Sequence, residues 1–107
     1  MNWQLSFLPE AKKDLKKLDK NQQIIVLKAI RKVQQNPLSN NEGGYGKPLG
    51  NKADNNLTGL LKIKLRGAGI RIVYKLIKIE SKIIIIVIGI RDDNEVYDIA
   101  SRRINKK

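Results

Sequence analysis

The segment Ile83-Ile84-Ile85-Ile86-Val87-Ile88-Gly89-Ile90 is apolar at every position except the small Gly89. A β-strand turns successive side chains to opposite faces, so a run without alternation fits a strand buried on both faces in the middle of a sheet. Exposed, it would be an aggregation hazard. It is far short of the roughly 20 residues a membrane-spanning helix needs.

The preceding residues read as a β-hairpin. Leu61, Ile63 and Leu65 point one way while Lys62, Lys64 and Arg66 point the other, Gly67-Ala68-Gly69 makes the turn, and residues 70–77 return as a strand carrying Arg71 and Tyr74. Residues 2–7 alternate as well, with Trp3, Leu5 and Phe7 on one face. Pro9 and Glu10 suit the start of a helix, which runs to about Leu18 with Leu8, Ala11, Leu15 and Leu18 on its apolar side. Asp19 or Asn21 can cap a second helix with Val26, Leu27, Ile30 and Val33 inward, ended by Asn36-Pro37. Residues 38–59 show no sustained period and read as a long surface loop with little apolar surface. Asp92-Asp93-Asn94-Glu95 supplies the cap and first-turn acids of a last helix, with Val96, Ile99 and Ala100 facing in. The order β-α-α-β-β-β-α predicts an α+β fold, a mainly antiparallel sheet with the helices packed on one side. At 107 residues, one domain over 1–107 is expected.

Charge narrows the chemistry. Lys plus Arg number 22 against 10 Asp plus Glu, a net +12 divided evenly between the two halves of the chain, which favours a polyanionic partner. Cys and His are absent, which excludes disulfides, thiol nucleophiles, the usual zinc sites, Ser-His-Asp triads and histidine-based ribonuclease chemistry. Catalysis would have to use Lys, Arg, Tyr, Asp or Glu. The amino terminus lacks the layout of a signal peptide, so a cytoplasmic location without membrane attachment is expected.

The cations fall into two sets. Strand geometry lines Lys62, Lys64 and Arg66 along one face at about 6 to 7 Å intervals, comparable with phosphate spacing in a single strand of nucleic acid, although alternating lysines on a solvated sheet are ordinary. Lys12, Lys13, Lys16 and Lys17 lie on the first helix, either as a solvated face or as a general attraction for RNA. Arg91 and Tyr97 can converge on one rim of the sheet, or Arg91 can answer a nearby acid while Tyr97 packs. Gly43-Gly44-Tyr45-Gly46-Lys47 fails the phosphate-loop spacing, with Asn41 and Pro48 at positions that need Gly and Ser or Thr, and reads as a flexible loop. Asp92 and Asp93 fit helix-capping acids better than catalytic or metal-binding carboxylates.

The run Leu61-Lys62-Ile63-Lys64-Leu65-Arg66, then Gly69-Ile70-Arg71-Ile72-Val73-Tyr74, an apolar strand, Gly89-Ile90-Arg91, Glu95-Val96-Tyr97 and Ala100-Ser101-Arg102-Arg103-Ile104 closely resembles the RelE toxins of the RelE/ParE superfamily. The resemblance is continuous over about residues 60–104 and looser before them, where Lys47-Pro48-Leu49 recurs. It implies the cytoplasmic toxin of a bacterial type II toxin-antitoxin pair, which cuts mRNA in the A site of the 70S ribosome by attack of a ribose 2′-OH, without metal or cofactor. It also implies an acidic RelB-like antitoxin wrapping the toxin, with operator DNA reached only through that antitoxin. The family's functional positions match Lys62, Lys64, Arg71, Arg91 and Tyr97 as catalytic residues and Arg66 as an RNA contact. On this basis Lys64 is the leading base candidate and Lys62 its electrostatic neighbour, Arg71 and Arg66 clamp phosphate, Arg91 serves the leaving group, and Tyr97 stacks on a base. The alternatives are a ParE-like DNA gyrase inhibitor and an inactive antitoxin-binding operon co-regulator.

Overall fold

In the computed structural model, which describes residues 3–52, 55–90 and 92–105, the chain runs β1 (Gln4–Phe7), α1 (Pro9–Lys17), α2 (Lys20–Gln35), β2 (Lys47–Lys52), β3 (Asn55–Leu65), β4 (Ile70–Ile77), β5 (Lys82–Gly89) and α3 (Asp93–Ile104). The sheet order is β1-β5-β4-β3-β2, with β1 parallel to β5 and every other pair antiparallel. This is the expected α+β class, with one strand more than the sequence suggested.

The isoleucine run is β5, flanked by β1 and β4 as its composition requires. Its register with β4 slips between Val73 and Tyr74, where Ile86 is the extra residue of a bulge. The bulge breaks alternation. Ile83, Ile85 and Ile88 pack on one side with Trp3, Ala11, Val26, Ile30 and Tyr74, while Ile86 and Val87 pack on the other with Leu57, Leu60, Val73, Val96 and Tyr97. The sheet therefore has helices on both faces. The α1–α2 hairpin covers one and α3 the other, so the expectation of helices on a single side is corrected. Once β5 is apolar on both sides, each face needs its own cover.

Residues 38–59 are not one open loop. They form a short 3-10 turn at Asn40–Glu42, then β2 and the first half of β3, and the buried Leu49 and Leu57 belong to the core beneath α3. Period-2 patterning is masked here because Gly50, with φ +61°, sits at a register shift in β2. Leu27 is a smaller correction: it is 37 % exposed, whereas Val26, Ile30 and Val33 do face the core.

Local chemistry sets the helix starts. Pro9 occupies the first turn of α1. Asp19, not Asn21, caps α2 in a reciprocal capping box: its carboxylate accepts from the Gln22 N–H at 2.8 Å, and the Gln22 side chain accepts from the Asp19 N–H at 3.1 Å. Asp92 caps α3, accepting from the Glu95 N–H at 2.9 Å.

The far end of α3 is tied to the sheet. β1 stops opposite Ile85, leaving the next stretch of β5 without a strand neighbour on that side. Asp14 of α1 accepts from the Ile88 N–H at 3.1 Å, and Arg103 of α3 donates to the Ile86 carbonyl at 2.9 Å and to both Asp14 oxygens at 2.6 and 3.2 Å. One ion pair thus satisfies the open backbone of β5 and joins α1 to α3.

Candidate functional site

Alternation along β3 sends Leu61, Ile63 and Leu65 toward the helical hairpin, and Lys62 and Lys64 toward α3. The strand registers then crowd like charges. Lys64 lies directly opposite Arg71 on β4, and Lys62 directly opposite Lys47 on β2. Opposed residues in an antiparallel pair have Cβ atoms about 4.5–5.5 Å apart, so like charges there destabilise the sheet unless something answers them.

The answer comes from the first residue of α3. Asp93 accepts a hydrogen bond from Lys64 Nζ at 3.3 Å, and its second oxygen accepts from Arg71 Nε. Partial desolvation acts to raise the Asp93 carboxyl. The hydrogen bonds from Arg71 and Lys64, together with their charges, outweigh it and hold the group below the usual carboxylate range. Asp93 therefore does more than fit a helix start: it is a member of the site that the sequence expectation left out. The available signal was the pair of opposed cations, which called for an anion.

One turn further along α3, the Tyr97 hydroxyl accepts from Lys62 Nζ at 2.6 Å. The residue is only 4 % exposed, and its ring packs beneath α3 among the core residues of that face. The expected role of stacking on a base is not available to a ring so enclosed; the structure presents its hydroxyl instead. Arg66 is exposed where β3 enters the turn closed by Gly69, whose φ is +66°. Lys12, Lys13, Lys16 and Lys17 are exposed on α1, on the hairpin side of the sheet and away from Lys62 and Lys64. Arg91 lies outside the described residues.

Lys62, Lys64, Arg71 and Tyr97 are thus brought together with Asp93 on the α3 face. Guanidinium and ammonium groups that grip a carboxylate also suit phosphate oxygens, so a phosphate could take the place of Asp93 on Lys64 and Arg71. Lys62 and Tyr97 form a hydrogen-bonded pair in which both groups can carry a proton. Among the described residues, no three His, Cys, Asp or Glu side chains gather as a metal site.

Comparison with known proteins finds toxins of toxin-antitoxin systems. The profile of the family described as ParE toxin of type II toxin-antitoxin system, parDE, matches residues 5–97. An Escherichia coli protein named as a RelE-like toxin is 32 % identical over 103 residues, covering 96 % of this chain and 98 % of its own. A doubly substituted Escherichia coli toxin RelE in the free state superposes with a TM-score of 0.73 at 28 % identity, over 97 % of this chain and 99 % of that one. The intact Escherichia coli RelBE toxin-antitoxin complex gives a TM-score of 0.64 at 26 % identity, over 84 % and 98 %.

Proposed function

The chain belongs to the RelE/ParE toxin family of type II toxin-antitoxin systems, and from that premise we propose that it is an endoribonuclease that cuts mRNA in the ribosomal A site. The observation that carries this reading is the convergence of Lys62, Lys64 and Arg71 with the Tyr97 hydroxyl on one face of the sheet.

Cleavage through a 2′-OH needs a proton acceptor, a donor for the leaving 5′-oxygen, and cations for the charge that builds on phosphorus. The 2′-oxygen bonds to the adjacent phosphorus and the bond to the 5′-oxygen breaks, leaving a 2′,3′-cyclic phosphate and a 5′-OH. Arg71 and Arg66 hold the phosphate, and Arg91 serves the leaving group. Lys64 takes the 2′ proton as the neutral amine, after the substrate has displaced Asp93 and the ammonium has given up its own proton. Lys62 holds the Tyr97 phenol as the second proton-carrying group beside the reacting atoms. The lysines of α1 add a salt-sensitive attraction for ribosomal RNA.

An acidic antitoxin of RelB type suits a chain of net charge +12, and the related RelE toxin is seen in a RelBE toxin-antitoxin complex. Operator DNA would be reached only through that antitoxin, and both proteins would act in the cytoplasm. The ParE profile match favours a second reading, a gyrase inhibitor with no RNA chemistry. Induction in cells separates the two. Primer extension on mRNA shows discrete new 5′ ends if the chain is a nuclease, while DNA-damage signalling with intact mRNA supports gyrase inhibition.

A further inference from the structure

The segment containing Gly43-Gly44-Tyr45-Gly46-Lys47, of which only Lys47 faces a cation of the site described so far, is well braced. The buried Tyr74 hydroxyl donates to the Pro37 carbonyl at 2.8 Å, the Tyr45 N–H to the Asn36 carbonyl at 3.1 Å, and the Asn40 N–H to the Gly46 carbonyl at 2.6 Å. Gly46 is fixed by space, since a Cβ there would stand 2.0 Å from the Tyr74 hydroxyl oxygen. The loop is therefore held in place and carries Tyr45 outward, 49 % exposed, with Lys32 Nζ 5.0 Å from its ring centroid.

Paired register between β2 and β3 begins at Lys47 opposite Lys62. From Ile63 to Leu65, β3 has no β2 partner, and the braced loop stands off from that open edge. A cleft of about 300 Å³ lies between them, lined by Asn40, Tyr45 and Lys47 on the loop side and by Lys62, Ile63, Lys64 and Arg66 of β3 and its turn. Small-molecule sites begin at about this volume. Its chemistry is specific: a fixed aromatic ring, cations at both ends, a side-chain amide and an open stretch of sheet edge. Sites for single-stranded nucleic acid combine stacking rings with cations that follow the backbone in this way.

We propose that this cleft is a nucleotide subsite, in which the base of a residue flanking the cleaved phosphate stacks on Tyr45 and its phosphate lies between Lys47 and Arg66. The proposal rests on the RNA-cleaving function put forward above and assigns the aromatic contact that the enclosed Tyr97 does not provide. Lys62 and Lys64 line both this cleft and the proposed catalytic face, so a strand seated here passes directly to the reacting centre. Lys32 on the Tyr45 ring adds cationic character to the stacking platform. An acidic peptide could satisfy the lysines, but it would have no use for a held ring beside them.

The test is fluorescence anisotropy of the full-length protein with a labelled single-stranded hexaribonucleotide, for wild type, Tyr45→Leu, Tyr45→Phe and Lys47→Ala. Tyr45→Leu weakens binding about 5- to 150-fold, the range for loss of one base-aromatic stack, whereas Tyr45→Phe stays within about twofold of wild type. Lys47→Ala lowers the log-log salt slope by about 0.7. Unchanged RNA affinity in Tyr45→Leu overturns the proposal, as does absence of binding by wild type. Weakened binding of the antitoxin with unchanged RNA binding overturns it in favour of a peptide site. Cleavage of ribosome-bound mRNA is scored separately. A wild type that binds the oligonucleotide through Tyr45 but never cuts mRNA removes the nuclease reading and leaves the subsite standing.

Discussion

Asp93 and Lys64 are ion-paired at 3.3 Å across the gap between α3 and β3, and the same carboxylate holds Arg71. The two cations that would hold phosphate under the proposed function are thus already gripping an anion of the protein's own. Asp93→Asn removes the competing charge and leaves the helix cap at Asp92 untouched. The variant should bind single-stranded RNA more tightly than wild type, and its log-log salt slope should steepen by about 0.7 to 1.4, for one or two cations released to phosphate. Anisotropy across a salt series checks both effects.

The same ion pairs predict a pH response. The Asp93 carboxyl is held below its ordinary value in the folded protein. Its stabilising contribution is present above the unfolded carboxyl value of about 3.9 and is lost as pH falls through the lower folded value. Wild type should therefore melt above Asp93→Asn near neutrality, and the gap in Tm should close on acidification below about pH 4. Parallel thermal melts across acidic buffers measure it.

Arg103 and Asp14 are more enclosed, with side chains 17 % and 13 % exposed, and their partners include the backbone of β5. Arg103→Leu leaves a largely buried carboxylate and an unpaired Ile86 carbonyl, which should cost about 3–5 kcal/mol. Urea unfolding provides the number. Because Arg103 also anchors the end of α3, amide hydrogen exchange in that helix should rise beyond what the global loss accounts for.

Tyr74 gives an alkaline limit. Burial pushes its phenol upward, so the folded protein keeps the proton when the unfolded chain releases it. Its contribution holds below the unfolded value of about 10 and declines above it, by up to about 1.4 kcal/mol per pH unit. Tyr74→Phe should be less stable near neutrality through loss of the bond to Pro37, yet decline less steeply between about pH 10 and 11. Urea midpoints at several alkaline pH values distinguish the two slopes.

Much of this was legible in the sequence where one period ruled. The uninterrupted β5, the alternating β3 and the spaced apolar residues of α1 and α2 all form as their patterns require. Residues 38–59 were not legible because Gly50 and the register shift scramble alternation, and Leu49 and Leu57 gain their core positions only through pairing with neighbouring strands. The placement of α3 follows from the Ile86 bulge, which no residue type announces. In the site, the row of cations could be read from β3 alone. The opposed Lys64 and Arg71 called for an anion, but that Asp93 supplies it depends on the entry angle of α3, and the place of Tyr45 needed the loop brace at Tyr74 and Gly46.

Under the proposed function, the cations of β3 and β4 cut RNA. Primer extension on a ribosome-bound message, with wild type beside Lys62→Ala, Lys64→Ala and Arg71→Ala, tests it most directly. Wild type should make discrete A-site cuts and Lys64→Ala should cut at least about 100-fold more slowly, the scale of a lost general base, while each variant retains its fold by circular dichroism. Intact mRNA with wild type, or undiminished cutting by Lys64→Ala and Arg71→Ala together, would contradict it.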